Sequence, residues 1–283
     1  MSIRYDCHMH SSFSPDSDAP MELMVRKAVQ LGFSGICFTD HMDLDLHEPL
    51  LGDDPDVFAA DPEMVLKEIS RLRELYEIEI GFGLEFGMQP HLPSVFDQLA
   101  RRYPLDFIPA SCHVVDGRDP YFPQVWEGKT ADEFIRRYYE VYYENICLMT
   151  QWDTLAHLDY VIRYIPERGS LVYDSMNKHA DLIDALLKHV IDQGKCLEVN
   201  TAGYKYGLGQ TNPSPAILKR YRELGGERIT IGSDAHAPQH IGTGFHQTQE
   251  MLLALGFRSY TVFHRRVGTE LPLEEYYSDN ISS

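Results

Sequence analysis

The chain has 283 residues, 43% hydrophobic and 24% charged, which excludes a disordered, collagenous or coiled-coil protein and fits an ordinary globular one. Its 25 Lys and Arg against 43 Asp and Glu leave a formal charge of −18, a field that repels nucleic-acid phosphates and anionic membrane surfaces alike. The five cysteines include no C-x-x-C pair and four sit in apolar runs, so they are expected as reduced thiols in a cytoplasmic protein. Residues 1–6 have no apolar signal-peptide core, and no run of about 18 apolar residues predicts a membrane helix.

The first predicted strand, residues 3–7, runs into His8-Met9-His10. An amphipathic helix over Met21–Leu31 follows, closed by Gly32 as a left-handed cap. The second strand, 35–39, runs into Asp40-His41, and an irregular acidic segment occupies 42–61. Asp61 and Pro62 open a helix over 62–76. Strand 78–84 runs into Glu85, and strand 107–112 into His113. A loop rich in Pro, Gly and aromatics spans 114–129, and a helix spans 130–150, where Tyr138, Tyr139, Tyr142 and Tyr143 have the spacing of core packing. Strand 154–156 runs into His157, a helix covers 177–193 with Gly194 behind it, and strand Cys196–Asn200 follows. Pro213 opens a helix over 213–224, capped by Gly225, and strand Ile229–Gly232 leads to Asp234 and His236. An apolar run at 260–263 precedes an acidic tail over 265–283. Continuous apolar strands alternating with amphipathic helices, with no linker or repeat, predict one α/β domain over residues 1–283. A parallel barrel is its simplest form.

Strand after strand is followed by a histidine or a carboxylate. In a barrel those strand ends share the C-terminal rim, where active sites are built. His8 and His10 are two apart and share a strand face, and the same alternation is expected of Asp234 and His236. Imidazole with carboxylate suits Zn, Mn or Fe without a thiolate. A single His-x-His arises often by chance, and His157 alone would read as a hydrogen-bonded core residue. The series along the chain is what points to metal. His179 and His189 lie on the helical pattern and read as packing residues.

The pieces Asp6-Cys7-His8-Met9-His10-Ser11, Phe38-Thr39-Asp40-His41, Gly83-Leu84-Glu85, Ser111-Cys112-His113, Ala156-His157-Leu158-Asp159 and Gly232-Ser233-Asp234-Ala235-His236 resemble, in order, the polymerase-and-histidinol-phosphatase (PHP) superfamily, most closely the PHP-type histidinol phosphatases. The resemblance implies a distorted (β/α)7 barrel, TIM-like, with two or three divalent ions (Zn, Mn or Fe) on its rim. It implies one metal on His8, His10, Glu85 and Asp234, a second sharing Glu85 with His113 and His157, and a third on Asp16, His41 and His236. Asp18 stands near enough to compete with Asp16. Asp40 is expected to orient a ligand from behind. Glu85, Asp234 and His236 are the expected catalytic residues. The ions would lower the pKa of an attacking water and clamp the phosphoryl oxygens, letting an acidic protein bind a phosphate ester.

The implied activity is hydrolysis of L-histidinol phosphate, with another PHP phosphoesterase acting on a nucleotide or other small phosphate ester as the alternative. A non-catalytic metal-binding module would lack ligands, and none is missing. Amidohydrolase barrels also start with His-x-His but use a strand-end Lys, which no predicted strand here offers. For the substrate, relatives place a phosphate-binding Arg where Arg163 stands, with Arg118 and Lys205 as further basic candidates in rim loops and Asn200 as a hydrogen-bonding one. Asp43, Asp45 and Glu48 offer an acidic loop to a cationic amine.

Overall fold

The computed structural model describes residues 3–46, 54–166 and 173–273. The chain opens with β1 (Tyr5–Met9), α1 (Met21–Leu31), β2 (Gly35–Asp43), the two-residue β3 (Phe58–Ala59), α2 (Pro62–Leu75), β4 (Glu79–Gly87) and α3 (Pro93–Arg102). It continues through β5 (Pro109–Ser111), α4 (Ala131–Leu148), β6 (Thr154–Leu155), α5 (Ser175–Lys178), α6 (Ala180–Asp192), β7 (Cys196–Asn200), α7 (Ala202–Lys205), α8 (Pro215–Glu223), β8 (Ile229–Gly232), α9 (Phe245–Ala254), β9 (Ser259–His264) and β10 (Val267–Pro272).

β1, β2, β4, β5, β6, β7 and β8 pair in parallel in that order. β8 approaches β1 through an isolated bridge between Met9 and Ala235, supported by the Asp234 amide donating to the His8 carbonyl at 2.8 Å. The seven strands are thus nearly closed into a distorted barrel. Residues in these strands are buried almost throughout, because helices cover the outer face and side chains fill the inner one. Asp61 caps α2, accepting from the amides of Glu63 and Met64, and Thr130 with Glu133 forms a capping box on α4. Gly32 ends α1 at φ 77°, the left-handed conformation the sequence predicts. Tyr138, Tyr139 and Tyr142 pack in the core as expected, and the Tyr142 hydroxyl donates to the carbonyls of Ala110 and Ala156.

Several boundaries differ from the sequence expectation. β2 and β4 run on through Asp43 and Gly87, so His41 and Glu85 lie inside strands rather than beyond them. The segment after β2 is not wholly irregular, since β3 pairs back antiparallel onto Met42 and Asp43. The helix expected over 177–193 breaks at His179 into α5 and α6. The helix expected at Pro213 begins instead at Pro215. The acidic tail expected from 265 begins later: β10 pairs antiparallel with β9, while residues 274–283 lie outside the described ones. This hairpin closes the N-terminal end of the barrel, where the amides of Arg265 and Arg266 donate to Asp106 and the Arg266 side chain pairs with Asp153.

Candidate active site

β1 places His8 and His10 on one side, with their Nε2 atoms 3.1 Å apart. Glu85, on β4, lies among them: its Oε2 is 3.5 Å from both Nε2 atoms and 3.0 Å from His41 Nδ1, and its Oε1 is 2.8 Å from His157 Nε2 and 3.3 Å from His113 Nε2. Asp234 Oδ1 stands 3.3 Å from His10 Nε2. Asp16 Oδ2 is 3.0 Å from His236 Nε2 and 3.5 Å from His41 Nε2; Asp16 and Asp18 are both exposed, and of the two it is Asp16 that pairs with these imidazoles. The structure therefore brings together His8, His10, Asp16, His41, Glu85, His113, His157, Asp234 and His236. Strand alternation does not deliver the last pair, however. β8 ends at Gly232 and Asp234 is left-handed at φ 53°, a conformation uncommon outside glycine but tolerated by Asp, which turns its carboxylate to the rim.

The donor set fits divalent cations. His8 Nδ1 is held by Glu198 Oε1 at 2.6 Å, and His10 Nδ1 lies 3.2 Å from Ser14 Oγ, which itself donates to Asp40. With both Nδ1 positions engaged, the two Nε2 atoms face each other, an arrangement that suits a shared cation. Burial, together with His236 and His41, pushes His10 down to about 3, so its imidazole is neutral at pH 7. Burial alone would raise the carboxyls of Asp16, Glu85 and Asp234, but the surrounding imidazoles outweigh it and hold all three below the ordinary range. Glu85 Oε2 is buried and accepts no hydrogen bond. Nitrogen and carboxylate donors without thiolate suit Zn, Mn or Fe.

A profile of the PHP domain family matches residues 6–202. The chain belongs to the PHP domain family. It is 28% identical to the histidinol-phosphatase of Lactococcus lactis over 92% of this chain and 94% of the relative. It is 30% identical to a protein of Clostridium acetobutylicum named "Probable histidinol-phosphatase", over 87% of this chain and 92% of the relative. Its fold superposes on the crystal structure of histidinol phosphate phosphatase from Lactococcus lactis complexed with zinc, L-histidinol and phosphate, with a TM-score of 0.85, 26% identity and coverage of 94% of this chain and 98% of the other.

In this PHP chain a second ring of residues, most of which the sequence reading missed, orients the candidate ligands. Glu198 holds His8 through one oxygen and accepts the His157 amide at 2.8 Å through the other. Asp43 holds His113 Nδ1 at 2.8 Å, and the Ser111 hydroxyl donates to Glu85. Asp40 acts as expected, from behind: it accepts from Ser11 and Ser14, and Ser14 meets His10. A carboxylate in the middle of the buried run Cys196–Asn200 was the available signal for Glu198. Glu198→Gln keeps the shape but weakens the acceptor that fixes His8. It should lower metal affinity about 10- to 100-fold, read by chelator competition, with the folded circular dichroism spectrum retained.

A cavity of about 400 Å³ opens over His41, His113 and Asp16, walled by Phe58, Tyr121, Tyr160, Tyr164 and Tyr206 and reached by Arg163. Of the predicted substrate residues only Arg163 lines it; Arg118 and Lys205 do not. Arg118 sits in the turn bridged to Val115, and the Lys205 ammonium lies 4.9 Å from the Tyr206 ring. Asn200 is fully buried, with its amide nitrogen near Glu198 and Asp234 and its oxygen accepting the Ala202 amide, so its hydrogen-bonding groups are engaged within the protein. The acidic loop expected to meet an amine is also otherwise engaged. Asp43 serves His113, Asp45 pairs with His91 at 2.7 Å, and Glu48 lies outside the described residues.

Proposed function

We propose that this PHP protein is a metal-dependent phosphomonoesterase that hydrolyses L-histidinol phosphate to L-histidinol and phosphate, a step of histidine biosynthesis. The observation that carries this reading is the convergence of all nine candidate ligands beneath a cavity that also holds Arg163. The Lactococcus lactis relative, complexed with zinc, L-histidinol and phosphate, supports the same substrate. When bound, two or three ions of Zn, Mn or Fe supply positive charge at the phosphoryl group and lower the pKa of the attacking water. Glu85, Asp234 and His236, the catalytic residues of this reading, hold that charge in place. Glu198, Asp43 and Asp40 keep the imidazoles aimed, and Arg163 donates to a phosphoryl oxygen. The aromatic walls exclude water around the ester.

Asp234 and His236 lie beyond the matched residues 6–202 yet complete the rim, which supports reading the chain as one catalytic unit. The five free thiols, four of them buried, support a reducing, cytoplasmic setting. Among the described residues no helix is long and apolar enough to cross a membrane. The partner in this reading is a small phosphate ester, and the charge of −18 disfavours nucleic acid.

Prolonged chelation should abolish phosphate release, and added Zn, Mn or Fe should restore it. Across a panel of phosphomonoesters that includes nucleoside monophosphates, histidinol phosphate should give the highest kcat/KM. A nucleotide in first place would overturn the substrate assignment, and full activity in metal-free protein would overturn the mechanism.

A further inference from the structure

Asp159 follows His157 by two positions, is buried, and opens a short 3-10 turn, Tyr160–Tyr164, that carries Arg163. An Asp at the start of a helical turn commonly caps it. Asp159 does not. Its Oδ1 accepts from Asn212 Nδ2 at 2.7 Å and its Oδ2 from the Ser214 amide at 2.9 Å, 53 and 55 positions away. Among the described residues no Lys, Arg or His side chain pairs with Asp159. A buried carboxylate without a cation is costly, so it is held where donors meet both of its oxygens. The far side of this contact belongs to the rim. Asn212 and Asn200 exchange backbone hydrogen bonds, each at 2.8 Å, beside Glu198 and Asp234. α7 packs closely on the same segment: a Cβ on Gly203 would collide with the Gln210 carbonyl and stand 3.0 Å from Asn212 Oδ1. α7 leads directly into Tyr206, whose ring centre lies 4.3 Å from the Arg163 guanidinium carbon. Arg163 is thus held between two chain segments, with Tyr160 and Tyr164 on its own turn and Tyr206 on the segment after β7. Asp159 joins the two.

We propose that Asp159 is a positioning residue for Arg163: it fastens the Arg163 turn to the segment after β7, so that the guanidinium keeps its place in the cavity over the candidate metal ligands. The inference rests on the phosphomonoesterase reading and deepens it by naming what holds the phosphate-binding arginine in register. A guanidinium meets phosphate through a planar fork, and a misplacement of about 1 Å can cost up to about 100-fold in rate. The Arg163 side chain has no carboxylate of its own to steady it, so its position follows from the rings around it, and those rings sit on the two segments that Asp159 ties together.

The test is a double-mutant cycle on the metal-loaded enzyme. Asp159→Asn keeps the volume but turns an NH2 group towards one of the two donors. For histidinol phosphate, kcat/KM should fall about 5- to 50-fold, and the inhibition constant of inorganic phosphate should rise by a similar factor. Metal content and the circular dichroism spectrum should stay at the wild-type values. In the Arg163→Ala background the same Asp159→Asn change should cost less than about twofold, because the group it positions is gone. A purely structural role would lower activity by the same factor in both backgrounds, and that result overturns the proposal. Wild-type kcat/KM in Asp159→Asn overturns it too, as does a loss of metal that accounts for the fall. If Asp159→Asn does not fold, Asn212→Ala removes the same contact from the other side and has to show the same non-additivity with Arg163→Ala. Metal-loaded wild-type enzyme that leaves histidinol phosphate intact would overturn the substrate reading itself, whereas equal factors in an active enzyme overturn only the role of Asp159.

Discussion

Glu85→Gln is expected to lower kcat/KM by about a thousandfold or more while leaving a folded protein. Five imidazoles lie within 3.5 Å of the two carboxylate oxygens, so this one charge serves more of the rim than any other. Gln keeps the volume and can still accept from the Ser111 hydroxyl, so the barrel has no reason to unfold. What is lost is the negative charge that, in the proposed reading, would hold the ions. Metal ions contribute several kcal/mol of transition-state stabilisation, and each 1.36 kcal/mol is a factor of ten in rate. Metal analysis of the purified variant should show less than the wild-type content, and circular dichroism should show the wild-type spectrum. Near-normal turnover with a full metal complement would remove Glu85 from the centre of the mechanism.

The second large effect is expected at Arg163. Its guanidinium carbon lies 4.8, 4.7 and 4.3 Å from the ring centres of Tyr160, Tyr164 and Tyr206, and its Nη2 donates to the Tyr164 hydroxyl at 2.6 Å. Its Nε is buried without an acceptor, and among the described residues no carboxylate pairs with it. A cation held on three rings and left without an anion is prepared for one. Losing a charge-assisted bond to phosphate costs about 1.5–3 kcal/mol, so Arg163→Ala should lose roughly 10- to 150-fold in kcat/KM. Arg163→Lys should lose less, since it keeps the charge but not the planar stacking. Metal content should not move in either variant. Wild-type kcat/KM in Arg163→Ala would return the residue to a packing role.

The barrel and its candidate ligands were legible because two strong patterns coincide: apolar strand runs, and chemistry-bearing side chains placed at their ends. α9 was not read because Phe245–Ala254 has a weak apolar stripe, whereas Pro93–Arg102 carries a marked amphipathic pattern that was passed over in favour of the strand ends on either side of it. β2 was ended too early because Asp40 and Asp43 look like loop residues until their partners are known: Ser11 and Ser14 for one, His113 for the other. Those partners lie dozens of positions away, and a single sequence does not show such pairings. The same limit explains Asn200. Its place at a strand end suggested a substrate contact, whereas only the fold reveals that Glu198, Asp234 and the Ala202 amide consume its hydrogen-bonding groups.

The near-closure of β1 against β8 has a consequence for how the enzyme comes into being. The amide of Ser233 donates to Asp6 across 227 positions, and His8 and His10 share their rim with Asp234 and His236. Such a junction has a high loop-closure entropy and belongs to the slow, non-local part of folding. On the ribosome the first histidines emerge long before their partners are synthesised. No shortened chain lacking β8 and the turn after it carries a complete centre, so hydrolytic activity appears only once the whole barrel has been made. A metal ion bound at that junction would act as a clasp between the first strand and the last. Metal removal should therefore raise amide hydrogen exchange at β1 and residues 233–236 before it does so in β4 or β7.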